Sequence, residues 1–375
     1  MTKGPLLMNR ISKLAGVAAV VAIAGCADLQ ADDESTTAEE LSVLNWTADV
    51  ANATGDTMSE PAIASIEDFV LEVYPGHSLE SPRYLRWNES FNGNIWTNDR
   101  QMSPNASSTA RPTLVNFNNF IYMFYASGVD QYMARFNPRL QFNQWTGSTR
   151  LPFTSLDAVA AVPYNGSLAI LRVDPSNHQL IMRTMSTAEV FSAEQPVVYN
   201  TAAADPCQQI IIIIQGPTAP SAPVSSPSTV ITIGFYVNEV TSSTPALAVS
   251  GGCLYMAHRD GTTNTLVYNT FKNGVWGPQR KITSGPGGAA QASAAQPAMA
   301  IFNNTLHLVH IGPASTYGDI FWSTYSSAGW SAPLTIPGHQ AQGTPSLSVQ
   351  FNKLFMVHQG YYSGDSIIWH SSYVP

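Results

Sequence analysis

Three histidines occupy the same place in three similar segments of the chain. They are His258 in Leu-Tyr-Met-Ala-His, His310 in Leu-His-Leu-Val-His and His358 in Leu-Phe-Met-Val-His. A carboxylate follows each of them further along its segment, as Asp260, Asp319 and Asp365. An imidazole and a carboxylate on one surface can donate and accept hydrogen bonds to a hydroxyl-rich ligand.

Aromatic rings and two weaker copies extend this pattern. Trp322 and Trp369 follow the second and third of these histidines, on the next predicted strand. Earlier in the chain, Tyr125 with Asp130, and then Arg172, stand at the corresponding positions. Sugars stack their C–H faces on aromatic rings and bind polar side chains through their hydroxyls. Together these residues predict several weak carbohydrate sites around one rim, an arrangement that suits multivalent binding.

A second interpretation of the same positions is structural. Repeated units share architectural residues first, so a polar side chain at a fixed place could hold a loop by hydrogen bonds. The aromatic residues of the neighbouring strand could equally belong to the core. The two interpretations differ in whether these side chains point to the rim or inward between the strands.

The segments that carry these residues are copies of one unit. The prolines that open the clearest copies, Pro245, Pro297 and Pro345, are 297 − 245 = 52 and 345 − 297 = 48 residues apart. A period of ~45 residues is typical of a four-stranded propeller blade. Copies that start near residues 112, 159, 205, 245, 297 and 345 predict an all-β propeller of about six blades.

Each part of a copy has an expected place in such a blade. The first strand is rich in small residues and should line the narrow axis, and Phe302-Asn303-Asn304 should form a hairpin turn. Trp330 on the fourth strand should fill the wide outer gap between blades. The last copy lacks a fourth strand, whereas Asn94-Ile95-Trp96 supplies one without a first. Pairing of N- and C-terminal strands in one blade would close the ring and remove open sheet edges.

Residues 1–25 have the pattern of a secretory signal peptide. The apolar run from Leu14 to Ala24 has the length of such a signal and is too short to span a bilayer. It ends Ile23-Ala24-Gly25-Cys26, which resembles the lipobox of bacterial lipoproteins. The resemblance implies lipidation of Cys26 and an outer-membrane lipoprotein that faces the periplasm or the cell surface, with the lipid as its only membrane contact. The alternative is an ordinary signal peptide cut near Gly25.

Three further segments follow the signal. Residues 26–58 are acidic and rich in Ala, Ser and Thr, and they predict a flexible tether. Residues 59–78 predict a short amphipathic helix, because Ile63, Ile66, Phe69, Val70 and Val73 recur at helical spacing before Pro75-Gly76. Residues 79–375 are assigned to the propeller.

Composition narrows the classes of function. Charged residues make up 11% of the chain and the formal net charge is −8, so a basic nucleic-acid surface is not expected. Cys207 and Cys253 remain after the lipidation site, and in an oxidising compartment they could form a disulfide or stay as buried thiols. The spacing of Cys and His does not match a zinc site, and we expect neither a metal nor another cofactor.

The repeat unit resembles that of a known group of propellers. Pro-Ala-Leu-Ala, Phe-Asn, a strand that ends in His, an aromatic strand and Gly-x-Trp follow one another in this order over roughly residues 83–375. This line is similar to repeats of secreted sialidase-like and fucose-lectin-like β-propellers. The resemblance implies the propeller fold and binding of glycans. A sialidase would also need three arginines around the axis, a Tyr/Glu pair and an acidic Asp, and the arginines here stand at non-equivalent repeat positions.

The sequence therefore predicts a lipid-anchored envelope propeller that binds carbohydrate or another extracellular ligand without catalysis. One alternative is a sialidase-like glycoside hydrolase, which would require several arginines at one mouth of the axis. Another is a protein-interaction scaffold of the envelope, which an exposed apolar patch away from the rim would favour.

Overall fold

The computed structural model describes residues 45–375 except 58, 77–81, 92, 94, 103–105, 141–143, 208–235, 240, 242, 314–315, 317 and 362–365. Within these residues the regular elements are β-strands, and α-helix is absent. In the same part of the chain, no helix has the length and apolar character needed to cross a membrane.

The described residues form twenty-eight strands, which follow one another in this order. The first nine are β1 (Val50–Asp56), β2 (Ala62–Ile66), β3 (Phe69–Pro75), β4 (Leu85–Ser90), β5 (Arg100–Gln101), β6 (Thr113–Phe117), β7 (Phe120–Ser127), β8 (Asp130–Phe136) and β9 (Thr149–Thr154). The next ten are β10 (Ala160–Tyr164), β11 (Ser167–Val173), β12 (Leu180–Met185), β13 (Gln195–Pro196), β14 (Val198–Asn200), β15 (Tyr236–Asn238), β16 (Ala246–Ser250), β17 (Cys253–Arg259), β18 (Leu266–Lys272) and β19 (Val275–Trp276). The last nine are β20 (Arg280–Lys281), β21 (Ala298–Phe302), β22 (Thr305–Ile311), β23 (Asp319–Ser326), β24 (Gly329–Trp330), β25 (Leu334–Gln340), β26 (Ser346–Gln350), β27 (Lys353–Gln359) and β28 (Ile367–Tyr373).

The strands pair into six sheets arranged around one axis. Their spatial orders are β1-β28-β27-β26, β2-β3-β4-β5, β6-β7-β8-β9, β10-β11-β12-β13, β15-β14-β19-β18-β17-β16 and β21-β22-β23-β24, with β20 on β18 and β25 on β23. The inner strands β2, β6, β10, β16, β21 and β26 each contact the next, and β26 returns to β2. This closed ring of inner strands confirms the predicted all-β propeller.

The propeller has two faces, one at each end of its axis. We call the face where the inner strands begin the entry face; it carries residues 59–61, 109–112, 157–159, 243–245, 295–297 and 343–345. The opposite face, where inner strands turn into second strands, is the turn face. Its hairpins include Asn118-Asn119 and Asn303-Asn304, and all four residues have positive φ. This agrees with the hairpin turns predicted at the Asn residues.

The ring is closed by the N-terminal strand. β1 pairs antiparallel with β28, so one sheet holds the first strand and the last three. Trp46 extends this pairing through a bridge to Tyr373, and its ring packs against Trp322 and Tyr373. Residues 45–57 therefore belong to the propeller rather than to the predicted tether of residues 26–58. Trp96, which we expected to close the ring, instead bridges Ser90 in the next sheet.

The predicted helix over residues 59–78 is wrong. This segment forms β2 and β3, joined by a hairpin in which Glu67 has φ 48. Every residue of β3 is buried, because sheets pack on both of its faces, and such strands read as continuous apolar runs without alternation. The apolar residues thus happened to fit helical spacing. Glu72, which a helix of this spacing would leave among its polar residues, is fully buried in β3 and contacts His370 at 3.2 Å.

Hydrophobic clusters lie between neighbouring sheets rather than in one centre. Trp145 packs in a cluster with Trp87 of the preceding sheet, Trp276 with Leu171, and Trp330 with Tyr268. Each fourth-strand tryptophan therefore fills the gap toward the sheet before it, which agrees with the predicted wedge. A disulfide joins Cys207 to Cys253 at a Cα–Cα distance of 5.8 Å and ties the segment after β14 to β17.

Candidate functional site: the axial mouth

The three repeat histidines point into the gaps between sheets. His258, His310 and His358 are at most 2% exposed. The Nε2 atom of His258 lies 2.9 Å from Glu239 Oε1 and that of His310 lies 3.1 Å from Gln291 Oε1. His358 Nε2 lies 3.1 Å from Asp49 Oδ2.

The second ring nitrogen of each histidine also lies near a protein oxygen. Nδ1 lies 3.1 to 3.3 Å from the carbonyl oxygen of the next residue, which is Arg259, Ile311 or Gln359. These buried imidazoles therefore face neighbouring strands and not an open rim.

The two earlier members of this set are placed in the same way. Tyr125 is 3% exposed and stacks on Tyr132 with the ring centroids 5.3 Å apart. Arg172 is 7% exposed, and its guanidinium donates to Glu194 at 2.9 Å and to Asp174 at 3.3 Å.

The remaining predicted residues do not form one open surface either. Asp130 pairs with Arg150 at 2.6 Å, and Asp319 accepts a hydrogen bond from Gln340 at 2.8 Å. Asp260 accepts the backbone N–H groups of Thr262 and Thr263 within its own turn. The other three are Trp322, buried with Nε1 donating to His307 Nδ1, Trp369, half-buried on β28, and Asp365, which lies outside the described residues.

A different group of polar residues converges at the entry face, around the axis. Glu60, Arg111, Thr244, Gln296 and Thr344 each stand directly before a proline, two residues ahead of an inner strand. Because the inner strands surround one axis, these equivalent positions meet at one mouth. They line a cavity of about 160 Å³, completed by Ser59, Thr109, Ala110, Thr113 and Asp157.

Arg111 is the central cation of this axial mouth. Its Nη1 donates to the carbonyl oxygen of Pro345 at 3.1 Å, before an inner strand two sheets away from its own. Burial lowers the pKa of Arg111, and the negative charges of Glu60 and Asp157 oppose that shift. In the described part of the chain, no carboxylate oxygen pairs with its guanidinium within 4.0 Å. The remaining guanidinium N–H groups are therefore available to a ligand in the cavity.

Hydrogen bonds from nearby hydroxyl and backbone N–H groups hold the two carboxylates of the axial mouth. Glu60 accepts from the Ser59 hydroxyl at 3.1 Å and from Thr344 N at 3.4 Å. Asp157 accepts the N–H of Ala158 at 2.8 Å and that of Thr244 at 3.5 Å. Each carboxylate keeps further lone pairs for hydroxyl donors.

Small residues continue the axis beneath the mouth. Ala62, Ala160, Ala246 and Ala298 line a second space of about 100 Å³ together with Ile63 and Leu114. This agrees with the prediction that small first-strand residues surround a narrow axis. Small side chains therefore narrow the axis beneath the polar mouth.

Arginines do not converge here as a sialidase would require. Arg111 is the one arginine that lines the mouth among the described residues. Arg135 pairs with Glu189, Arg150 with Asp130 and Arg183 with Glu194 on the outer parts of the sheets. A metal-binding group of three or more His, Cys, Asp or Glu residues is also absent from the part of the chain that is described.

Two larger grooves open between sheets on the turn face. One, of about 540 Å³, contains Tyr255, Tyr325 and Asp205, and the other, of about 300 Å³, contains Tyr164 and Arg183. Oδ1 of the buried Asp205 already accepts from Thr270 Oγ1 at 2.6 Å and from Cys207 N at 2.9 Å. These grooves are less polar than the axial mouth.

The sequence pattern indicated the repeat histidines as the site and did not indicate the axial mouth. The usable signal was the residue before the repeat proline, which is polar in every copy that has the proline and differs in type among them. A position that varies in charge within an otherwise regular repeat indicates a specific ligand better than a position that keeps a buried polar residue.

No family model and no curated protein matches the sequence. A Trypanosoma rangeli sialidase in complex with 2,3-difluorosialic acid aligns with TM-score 0.55 and 11% identity, over 84% of this chain and 54% of that one. The chain thus spans about half the length of that sialidase.

Two further solved structures cover more of their own length. Aleuria aurantia lectin in complex with alpha-methyl-L-fucoside aligns with TM-score 0.52 and 10% identity, over 84% of this chain and 93% of that one. A Hadza microbial sialidase aligns with TM-score 0.54 and 10% identity, over 85% and 66%. The chain is thus an all-β propeller that shares its fold with sialidases and with a fucoside-complexed lectin.

Proposed function

We propose that the protein is an envelope propeller that binds one carbohydrate group at the axial mouth without catalysis. The observation that carries the proposal is the convergence of Arg111 with Glu60 and Asp157 in one polar cavity. A guanidinium donates to ring, carbonyl or carboxylate oxygens, and carboxylates accept from hydroxyls, so the set matches a sugar. In this proposal each of the six sheets counts as one blade.

The size of the cavity fits one ring. A cavity of about 150 Å³ accommodates a benzene molecule, and the axial mouth has about 160 Å³. Beneath the mouth, small inner-strand residues such as Ala62 and Ala160 narrow the axis, so the polar rim takes the hydroxyls of the sugar. The alignment with structures that hold a fucoside and a fluorinated sialic acid supports carbohydrate as the ligand class.

Binding at the axis changes the expected stoichiometry. The buried contacts of His258, His310 and His358 favour a single axial site over several rim sites. We therefore expect one bound sugar for each chain.

A glycan array followed by titration calorimetry of the best-bound sugar tests this proposal. Arg111→Met should weaken binding at least tenfold, since a charge-assisted hydrogen bond contributes about 1.5–3 kcal/mol. Arg150→Met is the matched control, because Arg150 pairs with Asp130 away from the axis and should leave affinity unchanged. Several sites for each chain, or equal losses in both variants, would overturn the axial assignment.

One observation favours the glycoside hydrolase as a second candidate. Glu60 and Asp157 place two carboxyl groups at the same mouth, and glycosidases use such pairs. Release of 4-nitrophenol from aryl glycosides, absent in both Glu60→Gln and Asp157→Asn, would establish hydrolysis. We expect no release from the unmodified protein.

The location at the membrane is also a proposal. It is supported by the apolar run Leu14 to Ala24 followed by Gly25-Cys26. We expect a lipid on Cys26 and a position in the outer membrane. The intact mass of the protein purified from membranes measures the lipid, and Cys26→Ser should abolish the added mass.

A further inference from the structure

The turn face carries exposed apolar side chains in the connections between third and fourth strands. Phe91 is 64% exposed, Val190 66%, Val275 55% and Leu140 46%. Phe351, in a hairpin between an inner and a second strand, is 40% exposed. These residues belong to separate sheets, so they are distributed around the ring rather than grouped on one blade.

Strand pairing fixes the face on which each of these residues lies. Phe91 follows Ser90, which bridges Trp96, and Val190 stands between the bridged residues Met185 and Phe191. Val275 begins β19 directly after the turn from β18. Third strands run toward the turn face and fourth strands run away from it, so all these connections lie there.

The entry face exposes fewer apolar side chains. Val129 between a second and a third strand is 46% exposed, Leu156 after β9 is 37% exposed, and Ile367 at the start of β28 is 40% exposed. Both exposed phenylalanines among the described residues, Phe91 and Phe351, lie on the turn face. The turn face therefore carries the larger and more aromatic share of the exposed apolar side chains.

The chain enters the propeller at this same face. Trp46 bridges Tyr373 at the turn-face end of β28, and β1 then runs toward the entry face. The interval from Cys26 to Trp46 is 46 − 26 = 20 residues. A chain of that length spans at most about 70 Å. A lipid on Cys26 would therefore keep the propeller within about 70 Å of the bilayer, and the chain would reach the propeller at its turn face.

Two carboxylates on the turn face lie in ion pairs. Glu67 accepts from Arg139 at 3.0 Å, and Glu189 accepts from Arg135 at 2.6 Å. These two carboxylates therefore repel anionic lipid headgroups less than free ones would. Segments that lie at a membrane interface bury exposed apolar side chains of this kind at the headgroup boundary.

We propose that the turn face rests on the lipid surface, with Phe91, Val190, Val275 and Phe351 inserted among the headgroups. The inference rests on the proposed lipid anchor, because a lipid on Cys26 keeps the propeller close to the membrane, and the chain enters the propeller at this face. Its consequence is orientation: the axial mouth, on the opposite face, points away from the membrane and toward soluble or cell-surface ligands. The propeller then works as a platform that presents one axial site outward.

Hydrogen exchange of the full chain tests the orientation. The protein is compared in phosphatidylethanolamine–phosphatidylglycerol vesicles and in detergent micelles. Backbone amides of residues 186–191 and 272–275 should exchange several-fold more slowly in vesicles, whereas entry-face residues 127–130 and 260–265 should not change. Equal protection of both faces, or none, would overturn the proposal.

A matched pair of variants separates lipid contact from folding. The triple variant Phe91→Ser, Val190→Ser and Val275→Ser should lose the vesicle-dependent protection and keep the exchange pattern of the core strands. The control Val129→Ser with Leu156→Ser should retain the protection. If turn-face protection instead rises with protein concentration without vesicles, a second copy covers the face and the lipid assignment is wrong.

The anchor and the orientation can fail separately. The mass of the protein reports the lipid on Cys26, and sugar binding by the unmodified chain and by Arg111→Met reports the axial site. A lipidated, sugar-binding protein without turn-face protection would overturn only the orientation. Protection without a lipid on Cys26 would keep the orientation and remove the anchor.

Discussion

At the scale of single residues, the axial mouth is a balance between one cation and two anions. Burial disfavours the charged form of Arg111, and Glu60 and Asp157 compensate for that cost. A ligand that enters must fit this balance. A neutral sugar leaves it intact, whereas an anionic sugar gains from Arg111 and is repelled by the carboxylates.

Glu60→Gln should therefore shift selectivity toward anionic sugars. We expect the affinity for glucuronate relative to glucose to rise about fivefold, the equivalent of about 1 kcal/mol, because one repelling charge is removed from a half-buried site. Calorimetry with both sugars measures the ratio. Asp319→Asn is the control, since Asp319 bonds to Gln340 on an outer strand and should leave the ratio unchanged. A lower ratio in Glu60→Gln would contradict the assigned role.

At the scale of elements, buried histidines hold neighbouring strands and couple the fold to pH. Burial lowers the pKa of His310 to about 4, and the same cause lowers the pKa of His307 to about 4. His307 Nδ1 accepts a hydrogen bond from Trp322 Nε1, which requires an unprotonated nitrogen there. Both imidazoles are thus neutral in the folded chain at neutral pH.

Acid should unfold the protein through these two residues. In the unfolded chain histidine titrates near pH 6.5, so between that pH and about 4 the unfolded state binds more protons. The stability from the neutral imidazoles is complete above pH 6.5 and is lost as pH falls, by about 3 kcal/mol for each. Urea midpoints of the unmodified protein at pH 7, 6, 5 and 4 should therefore decline.

The variant His310→Gln isolates one of these contributions. It should be less stable than the unmodified protein at pH 7, yet its free energy of unfolding should fall less steeply below pH 6.5. His178→Gln, on an exposed loop, is the control for the loss of a histidine. An unchanged slope in His310→Gln would show that His310 does not carry the acid sensitivity.

At the scale of the whole molecule, stability depends on closing the ring. β1 pairs with β28 at the edge of the last sheet. Beside it, the carboxylate of Asp49 lies 3.1 Å from His339 Nε2 and 3.1 Å from His358 Nε2. These histidines belong to two neighbouring sheets. One short N-terminal segment therefore joins the first and last parts of the propeller and removes an open edge.

Trp46→Ala should weaken this closure. Trp46 is 7% exposed, and replacing a buried tryptophan by alanine costs about 3–5 kcal/mol. Chemical denaturation measures the loss, and hydrogen exchange should show β27 and β28 losing protection first. Phe91→Ala serves as the control, because that ring is 64% exposed and its loss should change stability little. Equal effects of the two variants would argue against a closing role for Trp46.

The disulfide provides a second long-range constraint. Cys207 and Cys253 are 46 residues apart in sequence, and a loop of that size implies about 4 kcal/mol from the restricted unfolded chain. Cys207→Ser combined with Cys253→Ser should lower the free energy of unfolding by that order. Denaturation with and without reductant supplies the matched comparison, since reductant should affect only the unmodified protein.

Local and periodic features of this fold could be predicted from the sequence. The spacing of Pro245, Pro297 and Pro345 indicates repeated sheets, and small first strands fit a narrow axis. Asn turns and fourth-strand tryptophans follow from backbone conformation and side-chain size, which each copy carries in itself. Repetition makes such signals visible, because the same physical demand acts on every unit.

Long-range partners could not be predicted in this way. The apolar spacing of residues 59–78 is compatible with a helix and also with a hairpin that is buried on both faces. Sheets pack on both faces of β3, and this packing favours strands. The direction of His258 and His358 depends on Glu239 and Asp49, which pack against them only in the folded ring. The sequence alone could not distinguish a structural histidine from a rim ligand.

The sequence by itself determined the repeat, and the tertiary structure decided the site. Arg111 is 111 − 60 = 51 residues from Glu60, and Asp157 is 157 − 111 = 46 residues further on. Nothing local relates these residues, because each belongs to a different sheet. They meet because a closed ring brings the starts of all inner strands to one axis, and ring closure depends on contacts between the two ends of the propeller.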